Sequence, residues 1–217
     1  MPLDPQWSEI RDGVRAVCAR FPNEYWVKLD ASSGYPAEFV AALTEAGYLG
    51  AMIPEVYGGA GLPLSAACAI LETIHETGAN AAACHAQMYT MGTVLKHGSE
   101  EQKRKYLPEI ASGKLRLQAF GVTEPTTGSD TTQLKTRAEK KGNKYIVNGQ
   151  KVWTSRVLHS DLMLLLARTT PLDQVKRRTD GLSVFLVDLR EAKGRGVEIK
   201  KIDAMINHST CEVFFDN

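Results

Sequence analysis

The hydrophobic rhythm of the chain changes once, near Leu115. Before it, apolar residues recur at helical spacing. Ile10, Val14, Val17, Cys18 and Phe21 keep a 3.6-residue period, predicting a helix over 10–21 that Pro22 stops. Pro36 suits the first turn of a helix over 37–46, with Gly47 as its C-terminal cap. Residues 65–77 read as a helix ended by Gly78, and 81–96 as a small-residue-rich one ended near Gly98. Ser99 with Gln102 is a capping box opening a helix over 100–107, where Pro108 marks a kink or end. The Gly58-Gly59-Ala60-Gly61 stretch has no strand before it and lacks the full G-x-G-x-x-G. It reads as a tight helix-to-helix connection.

From Leu115 onward the period is two. Short runs rich in Val, Ile, Leu and Phe cover 117–122, 136–140, 144–147, 151–154, 162–168, 182–189, 197–202 and 211–215, separated by turn residues. Asn148-Gly149 carries the type I′ hairpin signal and predicts that 144–147 pairs with 151–154. Helices first and strands second predict an α+β fold: an all-α domain over 1–114, then an antiparallel β-barrel or sandwich domain over 115–217.

Composition narrows the function classes without choosing one. The 217 residues, 43% apolar and 24% charged, are ordinary for a globular protein, and a net charge of +1 provides no field for nucleic acid or an anionic membrane. The basic run Lys176, Arg177, Arg178 reads as a solvated loop. Cys18, Cys68, Cys84 and Cys211 form no C-x-x-C pair and have no histidine at metal spacing, so they read as reduced, packed thiols with no metal site. Cys84 and His85 point to different helix faces, and His75, His85 and His97 read as packing or surface residues. No window reaches the roughly 18 apolar residues of a membrane span, and the start of the chain resembles neither a secretory signal nor a transit peptide. A reducing, aqueous compartment, the cytoplasm, is expected.

The stretch with most chemistry is Phe120 to Asp130. Pro125 ends any ladder, Gly128 permits close ligand approach, and Thr123, Thr126, Thr127 and Ser129 add hydroxyls. N–H groups around Gly128 form a shallow nest suited to a phosphate of a polar cofactor. Loop chemistry alone favours a plain solvent turn. Trp153 alone reads as a core aromatic.

The two stretches together say more. Thr123-Glu124-Pro125-x-x-Gly128-Ser129-Asp130, followed by Lys151-Val152-Trp153-Thr154-Ser155, resembles the flavin-binding signature of the acyl-CoA dehydrogenase family. The likeness extends to Ile53-Pro54-Glu55-x-Tyr57-Gly58-Gly59-x-Gly61, to Gly98-Ser99-Glu100-Glu101-Gln102-Lys103 with Tyr106-Leu107-Pro108, and to Glu212-Val213-x-Phe215-Asp216. It thus runs from about Pro36 onward. Thr127 stands where Ala is common in the family, and Arg156 where a small or amide residue is usual.

The resemblance implies an N-terminal helical domain and a middle β domain with FAD bound against it. Phe120, Val122 and Thr123 are then expected along the isoalloxazine ring, and Gly128 and Ser129 at the pyrophosphate, with Ser129 also touching the pantetheine of an acyl-CoA. Trp153 is expected to flank the ring, with Thr154 and Ser155 bonding near its reactive nitrogen. The implied reaction, in fatty acid metabolism, is α,β-dehydrogenation of an acyl-CoA thioester with hydride transfer to FAD and an electron-transferring flavoprotein as acceptor. In the family the base is a Glu on a further C-terminal helical domain. No counterpart is seen up to Asn217, so the chain reads as truncated and inactive alone, or as docking a separate C-terminal domain. No catalytic residue is nominated, and Glu124 reads as structural. The alternatives are a non-catalytic flavin-binding scaffold, or a flavin monooxygenase or acyl-CoA oxidase of the same fold.

Overall fold

The computed structural model describes residues 5–207 and 209–217, and these form two compact units divided between Leu117 and Gln118. In the first, the described residues give helices α1 (Ser8–Cys18), α2 (Asn23–Ala31), α3 (Ala37–Glu45), α4 (Leu64–Glu76), α5 (Ala82–His97) and α6 (Glu100–Ala111). Val14, Phe39, Leu43, Leu49, Ile70, Ile74 and Met88 meet in one buried cluster. Arg11 ties α1 to α4: its guanidinium pairs with Glu72 and donates to Thr73 Oγ1 at 3.0 Å.

α2 was not legible in the hydrophobic pattern, because none of its residues is fully buried. Two aromatics hold it instead. Tyr25 and Trp26 stack edge-to-face at 5.1 Å, and Trp26 meets Phe39 at 4.9 Å. The capping box is formed, with Ser99 Oγ accepting from Gln102 N at 3.1 Å and Gln102 Oε1 from Ser99 N at 2.9 Å. Pro108, by contrast, ends nothing; α6 runs on to Ala111. The loss of a backbone donor, a cost of about 3 kcal/mol, is offset by Leu107 and Ile110, both fully buried on either side of it.

The second unit holds β1 (Leu117–Gly121), β2 (Arg137–Lys141), β3 (Lys144–Ser155), β4 (Leu162–Arg168), β5 (Leu182–Asp188), the short α7 (Leu189–Ala192), β6 (Val197–Lys201) and β7 (Thr210–Asp216). Among the described residues they make one open sheet in the order β1-β4-β2-β3-β7-β6, with β5 on β4. β2 with β3, β3 with β7, β4 with β5 and β6 with β7 are antiparallel, and β2 meets β4 through one parallel pairing, Arg137 with Arg168. Met163, Leu165, Ala167, Val213 and Phe215 form the centre of its core.

Asn148-Gly149 is not a turn, which corrects the hairpin expectation. Residues 144–155 are one strand, and Asn148 and Gly149 pair with Asp216 and Phe215. The hairpin is the Gly142-Asn143 turn between β2 and β3, where Lys141 faces Lys144. Gly149 is glycine for another reason: a Cβ there would lie 2.4 Å from Thr136 Oγ1 and 2.6 Å from Thr136 Cα. Cys18, Cys84 and Cys211 are packed thiols as expected, whereas Cys68 is exposed, since it sits on the outward face of α4.

The two glycines should therefore respond unequally. Gly149→Ala is expected to destabilise the protein by about 1–3 kcal/mol through overpacking against Thr136. Gly142→Asn, at a φ of 63° with open space around it, should cost under about 1 kcal/mol. Urea denaturation of both variants checks this, and equal losses would contradict the assignment.

Candidate functional site

The site is built where β1 runs out. β1 carries Phe120 to Gly121, and Val122 and Thr123 follow it outside the strand. Glu124 and Thr127 then close a tight turn by exchanging backbone bonds of 2.8 and 3.1 Å across Pro125-Thr126. Beyond it Gly128, Ser129 and Asp130 are exposed. Among the described residues, the N–H groups of Gly128 and Ser129 have no acceptor in the protein. The Asp130 carboxylate takes Thr132 N at 3.1 Å and Thr132 Oγ1 at 2.5 Å. That hydroxyl holds Asp130 below its ordinary carboxylate range. Thr127 turns inward, its hydroxyl 3.4 Å from the Gln133 carbonyl, so its extra bulk stays off the exposed face.

β3 supplies the other half. Lys151 pairs with Val213 and Thr154 with Cys211, so Val152 and Trp153 together stand opposite Glu212 in a bulge. The extra residue reverses the alternation. Trp153 is 60% exposed rather than in the core, and Thr154 is buried instead, with a hydroxyl that has no partner among the described residues. Ser155 is half-buried. Trp153 has a φ of 60° and Arg156 one of 61°, a region bulky residues seldom occupy. A left-handed backbone at Arg156 accounts for the fit of small or amide side chains at this position.

The two stretches touch directly. Val152 N donates to Thr123 O at 2.9 Å, and Lys151 Nζ donates to Val122 O at 3.0 Å. Lys151 also meets Glu124 Oε1 at 2.9 Å, and both side chains are buried. Glu124 further accepts from Lys135 N at 2.6 Å and Thr136 N at 2.8 Å. Burial raises the Glu124 carboxyl, but the hydrogen bonds from Thr136, Lys135 and Lys151 outweigh it and leave Glu124 below the ordinary range. Burial likewise pulls the Lys151 ammonium down, against the opposing pull of Glu124.

Sequence reasoning gave Lys151 no role. The signal was there: Val147, Gly149 and Lys151 share the inward parity of a strand, and an inward lysine requires a buried acid. Arg168 was missed as well. Its buried guanidinium donates to the carbonyls of Thr132 at 2.8 Å, Asp180 at 3.1 Å and Arg178 at 3.2 Å, fastening the turn after Asp130 to the segment that carries the basic run. Lys176, Arg177 and Arg178 are exposed, as expected of a solvated loop, with Arg178 3.7 Å from Asp130. Among the described residues, no cluster of His, Cys, Asp and Glu could hold a metal ion.

The donor set suits a flat ligand bearing phosphate: an exposed indole, unengaged N–H groups at a glycine, and a buried hydroxyl lacking a partner.

Comparison with known proteins agrees over the whole length. The description "Acyl-CoA dehydrogenase, N-terminal domain" matches residues 4–114, and "Acyl-CoA dehydrogenase, middle domain" matches residues 119–217. Glutaryl-CoA dehydrogenase of Desulfococcus multivorans is 32% identical over 217 residues, covering 96% of this chain and 53% of that protein. An acyl-CoA dehydrogenase structure from Geobacillus kaustophilus has a TM-score of 0.89 at 28% identity, covering 99% of this chain and 56% of that one. A glutaryl-CoA dehydrogenase structure with glutaryl-CoA has a TM-score of 0.87 at 29% identity, covering 100% and 55%. The chain spans about half the length of these relatives.

Breaking the buried pair from one side should be costly. Lys151→Met is expected to lose about 3–5 kcal/mol, and the double variant Glu124→Gln/Lys151→Met less than that, since no charge is left uncompensated. The pair also predicts a pH dependence. Because the folded pKa of Glu124 is depressed, its contribution is present above the ordinary value of 4.5 and is lost as pH falls below that toward the folded value. Urea midpoints from pH 7 downward should converge for wild type and Glu124→Gln; a constant gap would refute the ionised pair.

Proposed function

The chain belongs to the acyl-CoA dehydrogenase family, and from that membership we propose that it binds FAD on its β unit for the α,β-dehydrogenation of an acyl-CoA thioester. The observation that carries this reading is the direct hydrogen bonding of the two motif stretches, Val152 N to Thr123 O at 2.9 Å, with the Trp153 indole exposed beside them. FAD held here would supply the acceptor for the hydride that leaves the β carbon when the α proton is removed.

The chain's own residues bind and orient. Phe120, Val122 and Trp153 offer flat apolar surface to the ring. The hydroxyls of Thr123, Thr154 and Ser155 serve as donors to its polar edge, where negative charge develops on reduction. Gly128 and Ser129 present N–H groups to the pyrophosphate, and Ser129 reaches the pantetheine. Glu124 does not serve as the base: three donors occupy its carboxylate and hold it below the ordinary range, which makes it a poor proton acceptor. The acceptor in this reading is an electron-transferring flavoprotein, and the setting is the cytoplasm. Among the described residues no helix is long and apolar enough to cross a membrane.

Titrating FAD into the purified chain, followed by flavin fluorescence, tests the reading. Trp153→Ala should weaken binding about tenfold, the equivalent of about 1.4 kcal/mol of lost ring contact. Trp153→Gly should weaken it similarly while raising folding stability by up to about 1 kcal/mol, because glycine relieves the left-handed backbone. Absence of FAD binding, or equal affinity in wild type and Trp153→Ala, would sink the proposal.

A further inference from the structure

The Lys151 side chain has no exposed surface, and it crosses the interior to reach the loop at the end of β1. Its stem packs over Gly121, where a Cβ would lie 3.2 Å from Lys151 Cγ. Its ammonium ends on the Val122 carbonyl at 3.0 Å and the Glu124 carboxylate at 2.9 Å. The neighbouring carbonyls are fixed too: Thr123 O accepts from Val152 N, and Glu124 O from Thr127 N. The Thr123 N–H is different. Among the described residues it has no acceptor. One peptide unit, Val122–Thr123, therefore has a cation on its carbonyl end and an unengaged donor on the other. Hydrogen bonding at the carbonyl of an amide strengthens the N–H of the same amide as a donor.

We propose that Lys151 is a positioning residue for the flavin: through the Val122–Thr123 peptide it orients and polarises the Thr123 N–H toward the polar edge of the ring, with Glu124 fixing the ammonium. The inference deepens the function proposed above and rests on FAD binding to this face. A lysine serving only to fill the core would not need to end on a loop carbonyl, and Met or Leu would fill the same volume without desolvating a charge. The role also accounts for the burial of Glu124, which keeps the cation in place while contributing no surface of its own to a ligand.

The test is the reduction potential of FAD bound to wild type, Lys151→Met and Glu124→Gln, measured by spectroelectrochemical titration, together with FAD affinity. Reduced flavin carries negative charge, so removing the ammonium while Glu124 stays ionised should lower the potential. Removing the carboxylate while Lys151 stays charged should raise it. Structural damage has no reason to move the two variants in opposite directions, so shifts of the same sign overturn the proposal. Glu124→Gln/Lys151→Met covers the case in which a single variant does not fold. With its thermal transition well above the assay temperature, it should bind FAD about tenfold more weakly, as expected for one charge-assisted donor lost. A folded double variant with wild-type affinity would overturn the role of Lys151 and leave the flavin reading intact. Failure of the wild-type chain to bind FAD overturns both.

Discussion

The ion pair between Glu124 and Lys151 is the constraint on which the β unit's working end depends. Two charges out of water stabilise a fold only when every remaining valence is met. Here the carboxylate accepts from two consecutive backbone N–H groups as well as the ammonium, and the ammonium has a carbonyl besides the carboxylate. Those partners lie just after β1, just before β2 and within β3. One buried pair thus fixes three stretches of main chain that hydrophobic burial alone, being non-directional, would leave free to slide.

Around that fixed point the backbone departs from regular strand geometry. The bulge opposite Glu212 and the left-handed conformations of Trp153 and Arg156 fall within a few residues of one another. Such conformations cost about 1–3 kcal/mol each and persist only where neighbours over-determine them. The neighbours are identifiable: Val152 N is held by Thr123, Arg156 N by the Ser209 carbonyl at 3.0 Å, and the Arg156 carbonyl by Ser160 Oγ at 2.9 Å. Among the described residues, the register shift of the β3–β7 ladder falls between Lys151 and Thr154, beside the exposed indole.

Much of this could be read from the residues. The helices with a buried stripe, the capping box at Ser99 and the full extent of β4 follow from periodicity and local chemistry. What was hidden has a physical pattern of its own. α2 lacks a buried stripe because it is held by aromatic edges, and α6 passes through Pro108 because flanking side chains are buried. Asn148-Gly149 spells a turn locally, but Thr136 leaves no room for a side chain at Gly149, a fact stored just before β2 and not in the dipeptide. Trp153 is the sharpest case. Strand parity puts it inside, and a single extra residue in the ladder, set by pairing with β7, puts it outside. Local signals fail here because the deciding partner is distant in sequence.

The position of β7 has a consequence for how the chain is made. Among the seven strands of the described residues it is the last to leave the ribosome, yet it lies between β3 and β6, where it completes the ladder beside Trp153. Until it emerges, β3 shows an unsatisfied edge on the nascent polypeptide, with Val147 and its inward neighbours uncovered. Synthesis therefore passes through an interval in which this edge still lacks its partner strand.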